Sequence, residues 1–424
     1  MKRILFALAI ALIATASVEA KPKQLPDWQE GYLDIHHIST GRGSASLFIM
    51  PDGTRMVVDV GDLGDPSRWK HKEIMPAVPS TEKRPAEWVA RYVEHFSKPL
   101  GKPLYVDYCL VTHFHCDHLG YDDHLAIEVE GKPYKYTGVT HFANLVSIRT
   151  LIDRAYPGYD YPSAEIMQRR GKDCFPFYKA LVDEREAKGE KNEQFKVGSD
   201  MQLVLRNNPS LYPTFRIVNL CGNGLIWTGE GNGVRNLIPD DAPAGSTLGE
   251  NNESCGFRLE YGDFSYYTGG DIGGKYSKKA NNYWKDVQSA VAKVVGKVDV
   301  ALADHHGQHD SMNANLLRAL DAQVIVLPVW DLYHPQPATM KRIWEVSPEC
   351  EVYAAGMAPE NRYERLGEYG KRIKQDGHIV VRVYKGGKKF QIFVLNDYSL
   401  NYEILYKSKV FKAERREERG VRKL

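Results

Sequence analysis

Thr112-His-Phe-His-Cys-Asp-His-Leu-Gly120 is the stretch on which the reading of this chain turns. It places His113, His115, Asp117 and His118 within six residues, directly after the apolar run Tyr105 to Thr112. Such a run reads as a buried strand that delivers the following residues to its C-terminal edge. Four metal-competent side chains so close together make poor core residues, because burying them unpaired is costly. Imidazole nitrogen and carboxylate oxygen suit Zn²⁺ and related divalent ions. His113 and His115, two apart on an extended segment, point the same way and can clamp one ion; Asp117 and His118 begin a turn and can face a second.

The rest of the chain is an ordinary frame for such a site. It has 424 residues, 43% hydrophobic and 26% charged, with a formal net charge of +2. Those totals exclude a disordered or collagen-like polymer, and the charge gives no sign of a nucleic-acid partner. Six cysteines are too few for a disulfide scaffold, although an oxidising compartment would let some of them pair. At the N-terminus, Lys2 and Arg3 precede the apolar run Ile4 to Ala14, and small residues follow around Val18-Glu19-Ala20. This pattern predicts a signal peptide over residues 1–20 and an exported, periplasmic or secreted protein whose mature chain starts near Lys21. Eleven apolar residues are too few to span a bilayer, and no other segment is apolar enough.

Working outward from the motif, strand-like runs precede it at Tyr32 to Ile38, Ala45 to Met50 and Thr54 to Val60. More follow at Phe215 to Leu220, Cys255 to Tyr261, Phe264 to Thr268, Val298 to Ala303 and Val324 to Val329, with helical spacing at 284–295 and 338–344. Ile379 to Tyr384, Gly386-Gly387 and Phe390 to Leu395 read as a hairpin. Between 124 and 215 the pattern reads as a mainly helical inserted lobe, with helices predicted at 146–155, 164–170 and 177–188. Residues 21–406 therefore form one α/β layered domain. Residues 407–424 form a basic tail with eight basic and three acidic residues, expected to be a solvated helix or a surface for an anionic partner.

The His-x-His-x-Asp-His pattern resembles that of the metallo-β-lactamase superfamily. Asp59 in Val57-Val-Asp-Val-Gly61, Asp271 in Thr268-Gly-Gly-Asp271 and His305 in Ala303-Asp-His-His-Gly307 extend the likeness. The resemblance implies a four-layer αββα sandwich in which Asp59 buttresses the ligand loop, Asp271 bridges two metals and His305 is the last ligand. A narrower likeness runs through Thr40-Gly-Arg-Gly-Ser44, Asn251-Asn-Glu-Ser254, His305-His-Gly-Gln-His-Asp-Ser311 and Tyr333-His-Pro335. In order, these are similar to the metallo-β-lactamase-type domain of competence DNA-uptake proteins and their soluble relatives, which implies hydrolysis of a phosphodiester or related ester.

One departure stands out. The superfamily supplies a further histidine between the first motif and the bridging aspartate; here Cys221 occupies that place. Cys221 is read either as a thiolate ligand, or as a buried structural cysteine or the disulfide partner of Cys255. His306 either replaces His305 as ligand or donates to a substrate oxygen, and His334 is a candidate substrate contact. The expected metal is one or two Zn²⁺, with Mn²⁺ or Fe as alternatives, and Asp117 orients a metal-activated water and takes its proton. The substrate expected is a phosphodiester or another small molecule. The competing expectations are a lactonase or β-lactamase, and a non-catalytic envelope binding protein with a degenerate site.

Overall fold

The computed structural model describes residues 23–64, 75–101, 103–122, 124–170 and 174–414. The proposed signal peptide and the end of the basic tail lie outside them. The chain first lays down β1 (Leu33–His37), β2 (Ala45–Ile49), β3 (Arg55–Val60), β4 (Tyr105–Leu110), β5 (Ser147–Asp153) and β6 (Lys191–Gln194). It then builds a second sheet from β7 (Phe215–Gly222), β8 (Leu225–Trp227), β9 (Val234–Asn236), β10 (Gly256–Tyr261), β11 (Phe264–Thr268), β12 (Val300–Leu302), β13 (Val324–Leu327) and β14 (Glu351–Ala354). Finally β15 (His378–Val383), β16 (Lys389–Leu395) and β17 (Ile404–Lys412) return to the first sheet. The nine-stranded sheet runs β17-β16-β15-β1-β2-β3-β4-β5-β6, and the eight-stranded sheet β14-β13-β12-β11-β10-β7-β8-β9.

The central strands are buried on both faces, as expected for sheets covered on both sides. Met56 and Val58 of β3, with Tyr108 and Leu110 of β4, enter the layer between the sheets, where they meet Phe257, Leu259, Tyr266, Val324 and Val326. Val57 and Cys109 face the other way, onto α1 (Pro85–Ser97), α3 (Gly138–Leu145) and α5 (Phe175–Ala187). The one-turn α2 (Cys116–Leu119) precedes α3, and α4 (Ala164–Arg170) precedes α5. On the outer face of the second sheet, Ala301 and Ile325 meet α6 (Val287–Val295), α7 (Ala314–Leu320) and α8 (Pro337–Val346); α9 (Glu368–Arg372) follows. The result is helix, sheet, sheet, helix: an α/β sandwich of two mixed sheets. Burying each such Val, Leu or Phe side chain contributes roughly 1.5–3 kcal/mol before the entropy of ordering is counted.

Two segments differ from the sequence reading. The lobe at 124–215 is mainly helical as expected, carrying α3, α4 and α5, but it also contributes β5 and β6, which extend the first sheet in parallel from β4. Ser147–Asp153 falls within the helix expected at 146–155; its apolar Ile148, Leu151 and Ile152 mimic helical spacing, but it pairs with β4 and β6 as a strand and is buried from Thr150 to Asp153. The basic run begins not as a solvated helix but as edge strand β17, with Lys407, Lys409 and Lys412 exposed. Lysines on an edge strand discourage pairing with other chains.

In both sheets the functional side is set by parallel strands. β3, β4, β5 and β6 are parallel neighbours, as are β11, β12, β13 and β14. Asp59 ends β3, the His113–His118 motif follows β4, Asp271 follows β11, His305 and His306 follow β12, and His334 follows β13. All lie at carboxyl ends of parallel strands, where open α/β sheets present their crevice.

Candidate metal centre

Asp59 organises the loop that carries the histidines. Its backbone is left-handed, with φ +58°, an uncommon state for a residue other than glycine. In that pose its carboxylate accepts the Thr112 N–H and the Thr112 hydroxyl, both at 2.8 Å, and stands 2.7 Å from His118 Nδ1. The Thr112 hydroxyl oxygen can then accept from His113 Nδ1, 3.1 Å away. Loop and strand approach too closely for side chains: a Cβ on Gly61 would stand 1.8 Å from the Asp117 carbonyl, and one on Gly43 2.4 Å from it. That carbonyl accepts the Ser44 N–H at 2.8 Å, which gives the early Gly-Arg-Gly-Ser turn a function.

These bonds settle tautomers. His118 donates through Nδ1 to Asp59, and His306 donates through Nδ1 to the Pro328 carbonyl at 2.9 Å. Both rings therefore turn Nε2 inward. The two Nε2 atoms lie 3.3 Å apart; His306 Nε2 is 2.9 Å from Asp117 Oδ2 and 3.1 Å from Asp271 Oδ2, and His118 Nε2 is 3.3 Å from Asp271 Oδ2. One ligand atom from each of Asp117, His118, Asp271 and His306 falls within 4.8 Å of the others, a candidate site for a metal ion. His113 stands beside it, with Nε2 buried, lacking a hydrogen-bond partner and 3.9 Å from Asp271 Oδ2. The His115 ring lies 4.9 Å from that of His113.

The electrostatics favour a cation there. Burial alone would lift the Asp117 and Asp271 carboxyls, yet the adjacent His118 and His306 hold both well below the usual carboxylate range. Burial would depress the His306 imidazole, but Asp271 and Asp117 push it up to about 9. The field that holds a proton on His306 is the field that would draw a divalent ion.

Several expected residues stand elsewhere. His305, expected as the last ligand, points away: Nδ1 is 2.8 Å from Asp310 Oδ1, and Nε2 accepts from the Asn251 amide at 2.9 Å. His306 takes the inward position because both residues are left-handed, with φ of +42° and +53°, and the turn swings the second ring into the cluster. Cys221 does not join the group. Its buried thiol faces the Ser254 carbonyl at 3.8 Å, and burial pushes it up to about 12, far from an available thiolate. Nor is it bonded to Cys255: both are free, and the disulfide is Cys116–Cys174, which ties the ligand loop to the start of α5. His334 is buried and stacks on His306, ring centroids 4.9 Å apart, with its Nδ1 lacking a hydrogen-bond partner. Sequence reading passed over Arg154 and Glu250, which grip the loop from behind; no motif marks them, and only burial of both charges reveals them.

Fold and site together define a two-sheet α/β sandwich with a metal-competent His/Asp group at its carboxyl edge. No protein-family model and no curated protein matches the chain. Among solved structures it is similar to a proposed metal-dependent hydrolase from Parabacteroides distasonis, at 14% identity over 76% of this chain and 92% of that one, with a TM-score of 0.32. It is also similar to isothiocyanate hydrolase from Delia radicum gut bacteria, at 14% identity over 81% of this chain and 95% of that one, with a TM-score of 0.35. At such distances the architecture rests on the sheet order itself.

Proposed function

We propose that this chain is an exported metal-dependent hydrolase acting on a phosphodiester or related ester, with zinc as its metal. The observation that carries the reading is the convergence of His118 and His306 Nε2 on the Asp117 and Asp271 carboxylates. The residues fit an ion: both Nε2 atoms face only the Asp117 and Asp271 carboxylates and each other, all candidate ligands, and His113 Nε2 stands beside them without a hydrogen-bond partner. Asp117, His118, Asp271 and His306 would hold one ion, and His113 and His115 are the protein's candidates for a second. When bound, such an ion supplies Lewis acidity that polarises a substrate oxygen and acidifies water.

The chain's own residues supply orientation and proton transfer. Asp271 is the more buried carboxylate, 4% exposed at its side chain, and Asp117, at 13%, is the more accessible of the two. Asp117 orients the attacking water and accepts its proton. His334, held against His306 by ring stacking and against Trp330 at 4.8 Å, is placed to donate to a substrate oxygen. The phosphodiester preference rests on the ordered motifs shared with the competence-type domain. Export is supported by the basic and apolar leader and by the Cys116–Cys174 bond, which persists in oxidising compartments.

The test is metal analysis of purified protein followed by chromogenic phosphodiester, lactone and cephalosporin substrates. One or two zinc ions per chain and phosphodiester turnover support the proposal. Turnover of the lactone or cephalosporin alone moves the substrate class, and protein that takes up no metal turns the reading to a binding protein. Mass spectrometry should find a mature start near Lys21; secreted material that retains Met1 refutes the leader.

A further inference from the structure

Phe114 separates His113 from His115, and it is gripped from behind. Its backbone N–H donates to Glu250 Oε1 at 2.9 Å, and the Arg154 guanidinium lies 4.7 Å over its ring. Arg154 holds Glu250 with two arms, Nε to Oε1 at 2.9 Å and Nη2 to Oε2 at 2.7 Å. A third contact, Nη1 to Asn223 Oδ1 at 2.7 Å, anchors the guanidinium to the turn after β7, and Nη2 stands 3.0 Å from Glu253 Oε2. Phe114, Arg154 and Glu250 are 1%, 0% and 6% exposed.

A buried ion pair is a weak source of net stability, because desolvation offsets the attraction. A two-armed carboxylate–guanidinium pair does impose direction. Here that direction is delivered to one N–H of the ligand loop. His115 is extended, with φ −82° and ψ 154°, and on extended backbone successive side chains take opposite sides. Holding Phe114 against Arg154 therefore turns His113 and His115 toward the site. Residues behind a metal site set the orientation of the ligands in front.

We propose that Glu250, fixed by Arg154, is a positioning residue that aims His113 and His115, the candidates for a second ion, into the metal centre through the Phe114 N–H; this rests on the metallohydrolase reading above. It also accounts for how a loop whose third partner, Cys221, stands apart keeps two histidines aligned.

The experiment titrates the full chain with zinc against a chromophoric chelator and records absorption spectra of the cobalt form. Wild type is compared with Glu250→Ala, Glu250→Gln and Arg154→Lys. Glu250→Ala leaves the Phe114 N–H buried without an acceptor and is expected to weaken zinc binding about 10–100-fold and alter the cobalt spectrum. Glu250→Gln keeps a carbonyl acceptor and should recover most of the affinity. A folded Glu250→Ala protein with wild-type affinity and spectrum overturns the proposal, and so does Glu250→Gln losing as much as the alanine variant. Should Glu250→Ala fail to fold, Arg154→Lys decides: it keeps the charge but not the two-armed grip, and a folded protein indistinguishable from wild type overturns the role. Wild-type protein that takes up no zinc refutes the metallohydrolase reading itself; zinc-binding wild type with unchanged variants refutes only the positioning.

Discussion

Asp59→Asn separates holding the loop from preparing the ligand. Asparagine tolerates the left-handed φ of +58° better than other residues, so the backbone keeps its turn. Its side-chain oxygen still accepts the Thr112 N–H, and the Thr112 hydroxyl can rotate to accept from the new amide. The change within the fold is then the exchange of one charged acceptor for a neutral group, about 1 kcal/mol without metal. His118 suffers more. Its Nδ1, 2.7 Å from the former carboxylate, now meets an N–H donor and must become an acceptor, which moves the ring proton to Nε2 and points it into the cluster. A ligand in the wrong tautomer lowers metal affinity about 10–100-fold, or roughly 1.4–2.7 kcal/mol. Zinc competition should show this loss, while urea unfolding of metal-free protein should show little change. Wild-type zinc affinity in Asp59→Asn would refute the tautomer argument; metal-free protein destabilised by several kcal/mol would refute the claim that the turn survives.

His306→Ala should lose zinc at the four-residue group, whereas His305→Ala and Cys221→Ser should keep it; equal loss in His305→Ala restores the other histidine as ligand. Joining residues 58 apart, the Cys116–Cys174 bond is expected to contribute ~4 kcal/mol, so Cys174→Ser should unfold at markedly lower denaturant; peptide mapping without reductant that finds both thiols free removes the crosslink. Acid should destabilise the fold through His37 and His378, whose imidazoles burial pushes down to about 3 from the ordinary 6.5. The unfolded chain binds a proton at each below about pH 6.5 while the folded chain does not until about pH 3, so stability is full above 6.5 and falls across that window. The slope is up to ~1.4 kcal/mol per pH unit for each histidine, and urea midpoints unchanged between pH 7 and 5 would contradict it.

Much of this architecture was legible because the residues concerned sit in short, strongly patterned runs. The run Tyr105 to Thr112 ending in His113, Asp59 at the close of an alternating strand, and Asp271 after Phe264–Thr268 each combine a strand period with an abrupt polar end. Where reading failed, the deciding term was tertiary. Ser147–Asp153 carries apolar residues compatible with either period, and only β4 alongside makes it a strand. Choosing between His305 and His306 required two consecutive left-handed residues that no spacing rule encodes. Cys221 lies in the expected strand, but its thiol turns toward Ser254, and a sequence does not reveal which face a bulged strand presents near Gly256.

The order of strands in the first sheet carries a consequence for how the protein is made. β1, near the start of the chain, is completed by β15, so Leu33 finds its partner Val383 only when most of the chain has been synthesised. Until then β1, β2, β3 and β4 form a sheet whose β1 side is bare, with the backbone groups of Leu33–His37 available to any strand that arrives first. A truncated chain ending before residue 378 should therefore associate with itself, and supplying the missing 378–414 segment as a separate peptide should compete with that association. The late strands thus act as the nascent protein's own edge guard, and the lysines of β17 pass that duty to the finished molecule.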